Sequence, residues 1–225
     1  MKYILWDFEH TLAYRDGDWT QSIVDLCKKH HVHIAYEQLH SYMTTGLPWF
    51  EFEKTHKELF RKKTWWEYTE GYMTTVLESL NVKKANAIVK EFKDFYLDPT
   101  SWHLYGDTIL TMEELKNKGY TQIIATNFAP ELEDLVNALG LDSYIDKVYA
   151  SGNMEYEKPN IHFFRNILDE LQDMERVIVV GNSYNVDIRG AKHAGVNEAI
   201  LVRNPNKMRY EQSADNLGGI LEYIQ

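Results

Sequence analysis

The chain has 225 residues, 44% hydrophobic and 26% charged, enough apolar surface for a packed core, which excludes a disordered or fibrous polypeptide. Its 24 Lys and Arg face 34 Asp and Glu, a net charge of −10. The basic pairs Lys28–Lys29, Lys62–Lys63 and Lys83–Lys84 are short and scattered, so nucleic acid is disfavoured as a partner for want of a counterion-displacing stripe. The lone Cys27 forbids an internal disulfide and fits a reducing cytoplasm. No apolar window approaches a membrane span, and the apolar stretch at the N-terminus is too short for a signal peptide. A cytoplasmic monomer without membrane partners is the expectation.

At about 150 residues per domain the length predicts one compact body with an insertion. Tyr3-Ile4-Leu5-Trp6 is short, apolar and followed by acidic residues, the pattern of a strand buried on both faces. Residues 13–102 then read as successive helical stretches rich in aromatic residues. They predict a helical domain inserted into a core made of residues 1–12 and 103–225. Trp19, Trp49, Phe52, Phe60, Trp65, Trp66, Tyr68, Phe92 and Phe95 are expected mostly to pack its interior, with Trp49, Trp65 or Trp66 as candidates to shape substrate choice.

The core resumes with a helix from Asp107 to about Asn117, closed by Gly119, and a strand at Gln122–Ala125. Pro130 is placed as a first helical residue, Leu132, Leu135, Val136 and Leu139 repeat at helix spacing, and Gly140 ends the pattern. A strand at Lys147–Ala150 follows. Pro159 opens the next helix, with Ile161, Phe164, Leu168 and Leu171 on one face. Strands at Val177–Val180 and Ala199–Val202 complete the series. The βα alternation predicts a doubly wound, Rossmann-like α/β core with a parallel sheet.

In such a sheet, ligands bind beyond the carboxyl ends of the strands. Those ends read Asp7-Phe8-Glu9-His10-Thr11-Leu12, Thr126-Asn127-Phe128, Glu157-Lys158-Pro159, and Gly181-Asn182-Ser183 through Asp187. Taken one at a time, each is what a helix cap or loop residue looks like. Their order and strand context carry the weight. His30, His31 and His33 beside Cys27 have no matching second ligand pair for zinc. Fingerprints of P-loop, dinucleotide, serine-hydrolase and zinc-protease sites are missing.

In these motifs the sequence resembles the haloacid dehalogenase superfamily, and most closely its phosphatase-like members with a helical C1-type cap between the first two motifs. The resemblance implies that Asp7 is a nucleophile forming an aspartyl phosphate and that Glu9 is the acid and base. It implies that Thr126, Asn127 and Lys158 bind the phosphoryl group, and that Asp7, the Glu9 backbone carbonyl, Asn182 and Asp187 hold Mg²⁺. The substrate would be a small phosphorylated metabolite. Asp187 or Asn185 alternatively caps a helix beginning near Ile188.

Two positions depart from the family pattern. Glu9 stands where the family has aspartate, one methylene longer, and a misplacement near 1 Å costs about 10²-fold in rate. Asn182 removes one negative charge from the metal site, so weak Mg²⁺ binding is expected. His10 is expected to be structural. Metal-independent dehalogenation stays open as an alternative, for which Arg15 and Arg61 are the available cap arginines. So does a non-catalytic or regulatory binding module on the same fold.

Overall fold

Strand β1 (Lys2–Trp6) starts the chain in the computed structural model, which describes all residues except 60, 61, 205, 207 and 225. Phe60 and Arg61 therefore lie outside the described residues. After β1 the chain makes a tight loop in which Leu12 and Ala13 both donate to the Phe8 carbonyl, then enters β2 (Ala13–Arg15). Among the described residues the α-helices that follow are α1 (Trp19–Lys29), α2 (Tyr36–Met43), α3 (Lys62–Ser79), α4 (Ala85–Val89) and α5 (Phe92–Tyr96). The chain returns through β3 (Trp102–Leu104), which pairs antiparallel with β2, Ala13 opposite Leu104 and Arg15 opposite Trp102. This ribbon was not anticipated. Three residues per strand are too few to show a period-2 pattern.

The rest of the core runs α6 (Thr108–Asn117), β4 (Tyr120–Thr126), α7 (Leu132–Ala138), β5 (Lys147–Ala150), α8 (Ile161–Glu170), β6 (Arg176–Gly181), α9 (Arg189–His193), β7 (Glu198–Val202) and β8 (Ser213–Ala214). Among the described residues the six-stranded sheet has the order β5-β4-β1-β6-β7-β8, and its paired strands are parallel. Side chains of β1 alternate across it. Ile4 and Trp6 join the apolar layer shared with the inserted helices, while Tyr3 and Leu5 pack with Phe163, Phe164 and Ile167 of α8 on the other face. Covering both faces explains why the strands read as unbroken apolar runs.

Both proline expectations shift. The helices begin at Leu132 and Ile161, two residues after Pro130 and Pro159. For α8 the reason is chemical: the Asn160 side chain caps the helix by accepting from the His162 amide, which moves the start past the proline. Phe163 and Ile167 join Phe164 in the buried face, and Leu171 falls beyond the last turn. In the insertion, Trp65, Trp66, Phe92 and Cys27 are buried as expected, whereas Tyr68 is exposed and donates its hydroxyl to the Gly46 carbonyl.

The insertion lies over the carboxyl ends of the strands. Trp66 Nε1 of α3 and Lys93 Nζ of α5 donate to the two carboxylate oxygens of Glu131, beside α7, at 2.8 and 2.6 Å. Asn160 Nδ2 donates to the Phe52 carbonyl at 2.7 Å. These bonds roof a space between helices and sheet.

Candidate active site

The sheet register sets the site. Trp6 lies level with Ile124 on one side and Val180 on the other, so β1, β4 and β6 end side by side. From β1 the connections run outward in opposite directions, the switch point at which α/β sheets bind ligands. Asp7 is the next residue, its amide donating to the Val180 carbonyl at 2.8 Å. Its carboxylate is held on both oxygens: Thr11 Oγ1 donates to Oδ2, while Thr126 Oγ1 and Lys158 Nζ donate to Oδ1, each at 2.8 Å.

Lys158 is almost wholly buried and also donates to Asp187 Oδ1 at 2.6 Å. Burial disfavours its charge, but Asp187 and Asp7 outweigh that and raise its pKa. The backbone of Lys158 is fixed by Asn127, which accepts from the Lys158 amide at 2.7 Å and donates to its carbonyl at 2.9 Å. Asp187 accepts from the Ser183 amide through Oδ2 at 2.9 Å. Desolvation and repulsion by Asp7 push its pKa up to about 6, with Lys158 and Ser183 opposing. Gly181 makes room for this carboxylate, since a Cβ there would sit 2.4 Å from Asp187 Cγ.

Neither Asp187 nor Asn185 caps a helix. Residues 184–188 form a wide turn before α9, and the Ser183 hydroxyl caps it by accepting from the Val186 amide at 3.3 Å. Asp187 is thus free of capping duty and faces Lys158. Asn182 is half-buried at the end of β6, and among the described residues its side chain makes no hydrogen bond to Asp7, Lys158 or Asp187.

Glu9 occupies a different environment, lining a cavity of about 400 Å³ together with Lys158 and Asn127. Its pKa is raised to about 7, first by desolvation, then by Asp7 and Asp18; Arg15 and the Tyr96 hydroxyl oppose. Tyr96 comes from α5 and is buried. Arg15 is buried too, but its guanidinium donates to the carbonyls of Tyr96, Asp16 and Phe95. His10 takes a left-handed turn position (φ 62°), with its exposed ring 3.9 Å from the Glu9 carboxylate.

Sequence reasoning missed Thr11, Tyr96, Ser183 and Glu157. Thr11 belongs to the motif that carries Asp7 and was the easiest to find. Glu157, next to Lys158, is buried, and desolvation raises its pKa to about 7 against a hydrogen bond from Ser151. Tyr96 has no local signal, because 86 residues separate it from Glu9 in the chain.

A haloacid dehalogenase-like hydrolase family model matches residues 1–195, and the chain belongs to that family. It is 37% identical over 103 residues to a glyceraldehyde 3-phosphate phosphatase of Methanothermobacter thermautotrophicus, covering 44% of this chain and 45% of the relative. It is 23% identical over 227 residues to pyrimidine 5'-nucleotidase PynA of Streptococcus pneumoniae, covering 99% and 92%. The chain spans about half the length of several curated relatives it matches. The magnesium-bound HAD-hydrolase YfnB of Bacillus subtilis superposes with a TM-score of 0.76 at 15% identity, over 99% of this chain and 98% of that one, which speaks for the fold. Among the described residues no helix is long and apolar enough to cross a membrane.

Proposed function

We propose that the protein hydrolyses small phosphate monoesters through an aspartyl-phosphate intermediate, with residues 13–102 acting as a cap domain. The observation that carries the reading is the Asp7 carboxylate, held by Thr11, Thr126 and Lys158 beside a second acid that faces a cavity. Held on three sides, Asp7 needs little reorganisation to attack phosphorus. Thr126 and Lys158 are placed to follow the developing negative charge. Glu9, protonated up to about pH 7, gives its proton to the leaving oxygen as the P–O bond breaks. Its carboxylate then takes a proton from the water that attacks the aspartyl phosphate. The phosphatase and nucleotidase names of relatives support this class of substrate.

Asp7 and Asp187 are two buried carboxylates sharing one ammonium, and the surplus negative charge among hard oxygen donors fits a divalent cation such as Mg²⁺. Asp7, Asp187, the Glu9 carbonyl and Asn182 would hold it, weakly with one amide in the set. Bound there, it would supply charge neutralisation for the phosphoryl group.

The test is phosphate release from sugar phosphates, nucleotides and an aryl phosphate, with Mg²⁺ or EDTA, using wild type and Asp7→Asn. Turnover that needs both Mg²⁺ and Asp7 supports the proposal. Silence from folded protein sinks it in favour of a binding module, and halide release persisting in EDTA would make it a dehalogenase. Against the latter, Arg15 is committed to backbone carbonyls.

A further inference from the structure

Resting on the phosphatase reading, we propose that the leaving group is a flat aromatic alcohol, so that the substrate is an aryl or heteroaryl phosphate monoester rather than a sugar phosphate. The cavity of about 400 Å³ is of ordinary size for a small-molecule site. It begins at Lys158 and Glu9 and is walled by Trp19, Trp49, Phe50, Phe52 and Trp65 of the insertion. The indoles brace one another: Trp49 stacks on Trp65 at 6.1 Å between centroids, and Trp19 meets Trp49 edge-on at 5.2 Å. A wall of mutually locked rings suits a flat ring at little entropic cost, and because the unpartnered Nε1 donors of Trp19 and Trp65 are buried away from the cavity surface, it offers a hydroxylated chain little to bond.

The polar groups on the cavity surface do not change this. Asn127 bonds the Lys158 backbone through both amide atoms, Lys158 Nζ bonds Asp7 and Asp187 and the Tyr96 hydroxyl bonds Glu9, so these polar groups gather at the catalytic end of the cavity. Asn185 and Arg189 follow the fourth motif, on the core side of the cavity. Each sugar hydroxyl carried against the tryptophans would lose its water without replacement, a penalty of about tenfold or more in affinity. Aromatic walls also suit quaternary ammonium groups, but Arg189 is a cavity-lining cation with no ion pair among the described residues, and it repels them.

The chemistry agrees with the shape. When Asp7 displaces the alcohol, the P–O bond breaks with its electron pair moving to the leaving oxygen, while a new O–P bond forms at Asp7. A phenolic oxygen, with a pKa near 10, bears that charge far better than an alkoxide. Glu9 then has less to do in that step, and its main task is to take the proton from the water that attacks the aspartyl phosphate.

The experiment compares kcat/KM for 1-naphthyl phosphate, phenyl phosphate, glycerol phosphate and glucose 6-phosphate in wild type, Trp49→Ala and Phe50→Ala. Because aryl phosphates are intrinsically reactive, binding of 1-naphthyl phosphate and glucose 6-phosphate to Asp7→Asn is measured by calorimetry as well. We expect at least hundredfold preference for 1-naphthyl phosphate over glucose 6-phosphate and at least tenfold tighter binding to Asp7→Asn. Either wall variant should cut the naphthyl-to-glycerol ratio at least tenfold, mainly through KM. Phe50 is exposed at the cavity lip, so its variant keeps the test valid should Trp49→Ala fail to fold. Equal binding of the two esters, or a ratio unmoved by both variants, overturns the inference while leaving the phosphatase intact. Selective naphthyl binding without phosphate release from any ester supports the aromatic pocket and sinks the phosphatase reading.

Discussion

Replacing Glu9 by glutamine should remove activity and add stability, with the second effect confined to neutral and alkaline pH. In the unfolded chain Glu9 ionises near its ordinary 4.5; in the metal-free fold, burial beside Asp7 holds the proton until about pH 7. Between those values the unfolded state binds fewer protons than the native state, so wild type loses stability as pH rises. At about 1.4 kcal/mol per pH unit, the difference amounts to about 3 kcal/mol, complete by pH 8. Glutamine keeps the shape and can still accept from Tyr96, but it carries no charge. Urea unfolding in EDTA should therefore show both proteins equal near pH 4.5 and Glu9→Gln more stable by about 3 kcal/mol at pH 8. Turnover with Mg²⁺ should fall about 10²- to 10⁴-fold, and wild-type kcat should decline above about pH 7. A stability difference that is flat with pH, or a variant less stable at pH 8, would refute the account of Glu9 as a desolvated acid.

Lys158→Met leaves Asp7 and Asp187 buried without their shared cation and should cost about 3–5 kcal/mol in urea unfolding at pH 7.5. The cost should shrink toward pH 5 as Asp187, already raised to about 6, takes up a proton; a loss below about 1 kcal/mol would contradict the buried-pair argument. Gly181→Ala drives a Cβ to 2.4 Å from Asp187 Cγ and should destabilise by about 1–3 kcal/mol while reducing turnover, and a fully active variant would show that Asp187 has other room. Wild-type activity should half-saturate with Mg²⁺ only in the millimolar range, and Asn182→Asp should lower that concentration several-fold. Sub-millimolar saturation of wild type would show that the amide is no handicap.

Much of the fold was legible because the strands are covered on both faces, and burial of that kind writes unbroken apolar runs into Tyr3–Trp6 and Val177–Val180. The gathering of Asp7, Thr126, Lys158 and Asp187 was legible for a related reason: parallel strands bring their carboxyl ends to one rim. What stayed hidden depends on contacts made across long stretches of chain. The β2–β3 ribbon is too short to pattern. Asp187 and Ser183 are both good capping residues, and it is Ser183 that caps while Asp187 bonds the Lys158 ammonium. Burial, Asp7 and Asp18 raise the pKa of Glu9 against Arg15 and Tyr96, and of these residues only Asp7 lies within positions 7–12.

The ribbon has a consequence for chain connectivity. The outgoing and returning segments of the insertion lie side by side, with Arg15 opposite Trp102, so 86 residues leave and re-enter the core at one place. To the sheet, the whole insertion is a single hairpin loop. Loop-closure entropy grows only with the logarithm of length, so joining Arg15 to Trp102 by a two-residue turn would change the closure cost by about 3 kcal/mol and leave the strand register alone. Phe8 lies between the two acids, its ring 5.6 Å from both Trp102 of the ribbon and Phe128 beyond β4. A shift of either ring would therefore be felt directly at the residue that joins Asp7 to Glu9.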